Sequence, residues 1–269
     1  MRVALLTLEA LASAAPVRRF IAQNPDRIAM VALSDPYRPQ AGGFAGQAIK
    51  LIRRSGPRII PYLLANFVLP HLGRLFVHNP QDPGQKLIAA LCRDLNIPLS
   101  TESDMNGAGF HARLRASGAD VLVTFHCDQI LTAETINSLD HGGINVHCGL
   151  LPDHRGPVPT IHALLESPPR FGITVHRLVP KIDAGGILAQ APIALPEGTS
   201  ALTAARLLHE AALPLLDELL ADAAPWRETL VPQKPYCPFP TMAQMSELAR
   251  LGHCAADWAD VIQALKTPV

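Results

Sequence analysis

The sequence predicts an α/β fold: a mostly parallel sheet with helices on both faces, followed by a helical C-terminal extension. Three observations predict it. Short runs of branched apolar residues alternate with longer stretches of helical spacing, as buried parallel strands and their crossover helices require. Those runs show no polar alternation, because a sheet covered on both faces buries every side chain. Finally, 48% hydrophobic against 17% charged residues over a length of 269 suits one large domain, or one domain with an appendage, and excludes a disordered chain.

Taken in order, the strand runs are Val3 to Leu8, Ile28 to Leu33, Val121 to Thr124, Gly143 to Val146 and Gly172 to Leu178. The opening Met1-Arg2-Val3-Ala4-Leu5-Leu6 imitates a secretory signal, but Glu9 cuts its apolar core short, so it reads as the first buried strand. No G-x-G-x-x-G turn follows that strand and no G-x-x-x-x-G-K-[ST] occurs, which disfavours a dinucleotide-dependent dehydrogenase and a nucleoside triphosphatase. No apolar run reaches the roughly 18 to 20 residues that cross a bilayer.

The segment from Pro36 to Gln81 holds Arg38, Lys50, Arg53, Arg54, Arg58 and Arg74 and no Asp or Glu, around the apolar run Ile59 to Pro70. Two readings stay open. A basic amphipathic stretch can lie on an anionic membrane or an anionic substrate. It can equally be an inserted helical pair packed on the sheet or on a dimer partner, its arginines solvated.

Ser200 to Ala224 has helical spacing at Ala204, Leu207, Leu208 and Ala211, with Pro214 expected to kink or divide it. Trp226 to Pro240 is a proline-rich connector, and Thr241 with Gln244 has capping-box spacing, opening a last helical stretch toward Lys266. The expected division is a catalytic domain over 1–195, with its insertion at about 36–81, and a C-terminal helical extension over 196–269.

Charge and cysteine narrow the partners. The 23 basic and 23 acidic residues cancel, so no whole-molecule attraction to nucleic acid is expected. Cys92, Cys127, Cys148, Cys237 and Cys254 are scattered without a C-x-x-C pair, which suits a reducing, cytoplasmic compartment. His141, His147, His154 and His162 fit no usual zinc spacing, and no metal site is expected.

The chemistry lies between Asp120 and Leu188. In Gly143-Ile144-Asn145-Val146-His147, the i, i+2 spacing on a strand turns Asn145 and His147 to one side, at the strand's C-terminal end where open α/β sheets keep their ligand crevices. An amide donor beside a chargeable imidazole suits a developing oxyanion, as in acyl transfer. Asp183, in the glycine-supported loop Lys181-Ile182-Asp183-Ala184-Gly185-Gly186, is the third candidate. Cys148 neighbours His147 but points the other way along the chain, which argues against a cysteine nucleophile.

Asn145-x-His147, Leu150-Leu151-Pro152, Arg155-Gly156 and Ile182-Asp183-Ala184-Gly185-Gly186-Ile187-Leu188 together resemble the signature of the folate-dependent formyltransferase family. The resemblance is dense over about 70 residues and loose over the first 200. It implies the Rossmann-like formyltransferase fold and an enzyme that moves a formyl group from 10-formyltetrahydrofolate to a primary amine. It also implies catalytic roles for Asn145, His147 and Asp183, a protonated His147 among them, with Gln129, Ile130, Leu131, Lys181 and Ile182 beside the donor's pterin. His126 and Asp128, near that loop, are open between structural and functional roles, and Arg155 is expected to fix its loop. The family's usual Pro-Ser after the His is replaced by Cys148-Gly149, which removes a hydroxyl and is expected to loosen the turn.

The resemblance also sorts acceptors. Leu8-Glu9-Ala10-Leu11-Ala12-Ser13 stands where glycinamide ribonucleotide enzymes carry a glycine-rich phosphate loop. The segment after Pro196 reads as helices rather than the basic barrel of the initiator-tRNA enzymes, and no regulatory domain of the hydrolase kind is expected before the first strand. A small amine remains, with an amino sugar on a nucleotide carrier as the leading class, and homodimerisation and a lipid-linked acceptor are also open. The competing readings are a formyltetrahydrofolate hydrolase and a non-catalytic folate-fold binding protein.

Overall fold

β1 (Val3–Thr7) shows how the chain folds, because its alternating side chains enter two different cores. Val3 and Leu5 pack with one buried cluster, and Ala4 and Leu6 with another on the opposite face, so the whole strand is buried. The computed structural model describes residues 1–37, 43–75, 81–221 and 226–269. After β1 come α1 (Ala14–Gln23), β2 (Ile28–Ser34), α2 (Gly43–Ser55), α3 (Ile60–Leu63), a π-helical turn (Leu64–Val68), α4 (Leu69–Gly73) and α5 (Ile88–Asp94). Then follow β3 (Leu99–Glu102), α6 (Ala108–Ala116), β4 (Val121–Phe125), α7 (Ala133–Ile136), β5 (Gly143–His147) and α8 (Pro159–Ala163). The chain ends with β6 (Gly172–Arg177), β7 (Ile187–Pro192), α9 (Ala201–Ala221), α10 (Met242–Arg250) and α11 (Trp258–Lys266).

The sheet order is β3-β2-β1-β4-β5-β6-β7. β1 to β5 pair in parallel, and β6 and β7 add antiparallel. The chain leaves β1 toward β3 and returns to its other side at β4, so a switch point opens above the C-terminal ends of β1 and β4. β3 and β7 were not among the expected strands. Both are edge strands: β3 is four residues with polar Ser100, Thr101 and Glu102, and β7 is mostly half-exposed, so neither has the apolar run that marks a buried strand.

One face is covered by α1, α5 and α9, with Phe20, Ile21, Leu91, Leu208 and Leu216 against Leu5 and Val123. The other is covered by α6 and α7 through Phe110, Leu114 and Ile136. α9 stands beyond the expected boundary at residue 195 yet supplies Leu208, Ala212, Leu216 and Leu220 to the same cluster as β1. α9 is a single helix through Pro214, so the proline does not divide it. Pro214 is exposed, on the solvent side of α9, where the proline is tolerated.

A third cluster caps the C-terminal end of the sheet, joining Leu11 and Ala12 to Ile59, Tyr62 and Ala65, to Val158 and Ile161, and to Met245, Leu248 and Ala264. The 36–81 segment sits here. Arg38 lies outside the described residues. α2 meets α10, with the Ser55 hydroxyl donating to the Pro240 carbonyl (2.6 Å). α4 crosses α11 at Gly73, where a Cβ would lie 2.9 Å from the Leu265 carbonyl oxygen. The described part of the insertion therefore packs on the C-terminal helices. The capping box at Thr241 and Gln244 forms, but α10 ends before Gly252 (φ +81°), and a second capping box, Asp257 with Asp260, starts α11. The last helical stretch is two helices.

Candidate active site

β5 delivers Asn145 and His147 to the open end of the sheet, and each is held from more than one side. The Thr124 hydroxyl of β4 donates to Asn145 Oδ1 (2.6 Å), so the Nδ2 hydrogens point elsewhere. One goes to His176 Nε2 at 3.1 Å, because antiparallel β6 sets His176 directly opposite Asn145. His176 Nδ1 in turn meets the Arg177 carbonyl at 2.8 Å. The second Asn145 N–H stays available.

Asp183 arrives from the loop after β6 in a left-handed conformation (φ +47°). Its Oδ2 accepts the Gly156 backbone N–H (2.8 Å) and lies 3.6 Å from His147 Nδ1; its Oδ1 lies 3.5 Å from His176 Nε2. Arg155 fixes this loop: its buried guanidinium donates to the carbonyls of Asp183 (2.9 Å), Ile182 (2.5 Å) and Lys234 (2.8 Å). Gly156 (φ +135°) lets the connector close in, since a Cβ there would lie 2.1 Å from the Cys237 carbonyl oxygen.

The electrostatics separate the two ionisable groups. Burial on its own would raise the Asp183 pKa, but the neighbouring charge of His147 and the His176 ring outweigh it and hold the carboxyl down at about 2. Burial pushes His147 below its ordinary value, against the opposing pull of Asp183. The resting ring is therefore neutral at neutral pH, unlike the protonated His147 that the family resemblance implies. With Nδ1 toward the carboxylate, its Nε2 is buried without a hydrogen-bond partner.

Gly149 explains that orphan. A Cβ at 149 would lie 2.9 Å from His147 Nε2, so the glycine leaves the ring nitrogen unobstructed and supplies no hydroxyl to it. The turn is not loosened: Gly149 N–H donates to the His147 carbonyl (2.9 Å) and its carbonyl accepts from Thr174 Oγ1 (2.6 Å). Cys148 is buried, its thiol directed at the Ala205 carbonyl (3.6 Å) and its pKa raised by burial, which leaves it no nucleophilic character.

These groups open onto a cavity of about 440 Å³. One wall belongs to the α6–α7 side of the core (Cys127, Leu131, Ile136, Leu178), the other to the cap (Ala12, Tyr62, Val158, Ala205, Phe239). Of the residues expected beside the donor, Gln129, Ile130, Leu131 and Ile182 line the first side, and Lys181 is exposed and outside the lining. The Gln129 amide is committed, accepting from the Met105 N–H and donating to Ser34 and to the Glu102 carbonyl (each 2.9 Å), so it braces β2 and β3. His126 stacks on Phe67 and meets Ser13 Oγ through Nδ1 (3.3 Å), while Asp128 bonds Ser34. Sequence reasoning missed Thr124 and His176. Both lie on recognised strand runs, and only their cross-strand neighbours reveal a role.

The model of the family described as formyl transferase matches residues 82–218. Among solved structures, the chain is similar to a sugar N-formyltransferase from Shewanella sp. FDAARGOS_354, at 19% identity over 99% of this chain and 88% of that one, with a TM-score of 0.54. It is similar to glycinamide ribonucleotide transformylase 1 from Symbiobacterium toebii, at 14% identity over 86% and 95%, TM-score 0.55. A third is a sugar 3-N-formyltransferase solved in the presence of dTDP and 5-N-formyl-THF, at 12% identity over 92% and 79%, TM-score 0.52. At these identities the likeness is one of fold.

Proposed function

Because the chain belongs to the formyl transferase family, we propose that it moves a formyl group from 10-formyltetrahydrofolate to the primary amine of a small acceptor, with an amino sugar on a nucleotide carrier as the leading class. The observation that carries this reading is the buried, unpartnered Nε2 of His147 beside an amide N–H that Asn145 has not spent. Those two groups fit a formyl donor, which needs a hydrogen-bond donor at its oxygen and a base near its carbon. A cavity of about 440 Å³ is in the range of small-molecule sites.

When bound, the donor supplies an electrophilic formyl carbon. Asn145 donates its free N–H to the formyl oxygen and stabilises the negative charge that grows there as the amine attacks. His147 takes the amine's proton at Nε2, and Asp183, ionised 3.6 Å from Nδ1, stabilises the imidazolium so formed. The C–N bond to the acceptor is then complete, and His147 returns its proton to the nitrogen that leaves with the tetrahydrofolate. Gln129, Ile130, Leu131 and Ile182 are assigned to the donor's ring side, with Lys181 at its solvent edge.

The loop after β1 bears on the acceptor. Leu11 and Ala12 donate their backbone N–H groups to the main-chain and side-chain oxygens of Asn66 (3.0 and 2.9 Å), and Glu9 pairs with buried Arg18 (2.6 Å). Those two amides are spent inside the protein instead of cradling a phosphate, which supports an acceptor other than glycinamide ribonucleotide.

Calorimetry with 5-formyltetrahydrofolate, alongside product analysis with 10-formyltetrahydrofolate and a panel of amines, tests the reading. One-site binding and a formylated amine support it. Free formate as sole product would make the protein a hydrolase, and neither binding nor product would make it a non-catalytic member of the family.

A further inference from the structure

The helical run from α3 through α4 has two faces of different character. Its inner face is buried: Tyr62 lines the cavity, Asn66 holds the β1–α1 loop, and Gly73 seats α4 on α11. Its outer face presents Pro61, Leu64, Val68, Leu72 and Leu75, spaced three or four residues apart and all exposed, with Leu75 at 68%. Leucine and valine left in water at that spacing form a stripe that marks an interaction surface.

The same segment is rich in cations. Lys50, Arg53 and Arg54 are exposed on α2, Arg58 precedes α3, and Arg74 lies between Leu72 and Leu75. Residues 43–75 contain no Asp or Glu, and among the described residues none of these five cations pairs with a carboxylate side chain. Arg54 and Arg74 instead donate to the carbonyl oxygens of Phe239 and Val269 (each 2.5 Å). α11, which crosses the buried side of α4 at Gly73, has an exposed pair of its own, Trp258 (79% exposed) and Ile262 one turn apart, with Lys266 a turn further on.

We propose that this face docks the protein on an anionic lipid surface. The leucines and the valine of the stripe enter the headgroup boundary while the lysine and arginines meet the lipid phosphates. Charge decides the occupant. A two-fold pairing of the face with itself would set the same unneutralised cations of two copies against each other, which is unfavourable, whereas an anionic surface complements all of them. The contact is peripheral, since among the described residues no helix is long and apolar enough to cross a membrane. The proposal rests on no part of the formyl-transfer reading.

The test is co-sedimentation of the full chain with vesicles of phosphatidylcholine alone and of phosphatidylcholine mixed with phosphatidylglycerol. Binding is expected to the mixed vesicles only, and to weaken as salt rises. Arg53→Gln and Arg58→Gln should each lower partitioning about five-fold. The exposed pair Leu72→Glu/Leu75→Glu should lower it about ten-fold or more. Thermal melting and 5-formyltetrahydrofolate calorimetry on the same variants separate a lost surface from a lost fold or a failed donor assignment. The proposal is overturned if the mixed vesicles do not bind, if binding ignores the substitutions, or if sedimentation velocity finds a dimer that Leu72→Glu/Leu75→Glu dissociates.

Discussion

A side chain at Gly149 would begin 2.9 Å from Nε2 of His147. The imidazole can stay where it is only while position 149 has no Cβ, and the same vacancy leaves its ring nitrogen without a protein partner. Gly149→Ala should therefore push the ring off its position and lower kcat about 10- to 10²-fold. Gly149→Ser, which adds the same Cβ and whose hydroxyl would also occupy Nε2, should lose at least as much. Steady-state rates of amine formylation for the two variants check the order, and equal, unchanged rates would detach Gly149 from the site.

Asp183 sets the charge behaviour of His147. Its carboxylate is the main influence raising the ring's pKa against burial. Asp183→Asn should cut kcat about 10²- to 10⁴-fold. It should also move the acidic limb of the pH–rate profile to lower pH, because the neutral ring then loses its partner for the charged form. A limb that stays in place would show that another group titrates.

Arg155 is buried, and its guanidinium satisfies the carbonyls of Asp183, Ile182 and Lys234. Arg155→Met leaves three acceptors unpaired and should destabilise the protein by about 3 kcal/mol or more. Arg155→Lys, with no planar fork, should recover only part of this. Urea unfolding midpoints measure both.

Acid stability should depend on two histidines beside the cavity. Burial lowers the His126 pKa to about 4, against the pull of Asp128, and the His209 pKa to about 3, aided by His126. The unfolded chain, at about 6.5, binds these protons first. The stability they contribute is thus full above pH 6.5 and lost as pH falls toward 4 and then 3. His209→Gln, which keeps a donor for the Ala12 carbonyl, should flatten the fall in melting temperature between pH 6.5 and 4.

The sequence by itself determined what local periodicity and local chemistry control. Buried strands announce themselves as apolar runs, so β1, β2, β4, β5 and β6 were legible, and the period of two fixed Asn145 and His147 on one side of β5. The capping box at Thr241 and Gln244 was legible because it closes within four residues. Tertiary structure decided the rest. The edge strands β3 and β7 exist only through their neighbours, and the pairing of Asn145 with His176 depends on a register between strands joined by a long connection. Whether Gln129 meets a ligand or braces β2 and β3 depended on which carbonyls lay within its reach. The neutral state of His147 follows from how far the cap removes water from it, and the exposed stripe on α3 and α4 follows from which side of that run the C-terminal helices cover. Burial is a property of the assembled chain, and in this protein it sets both the charge at the site and the surface left open.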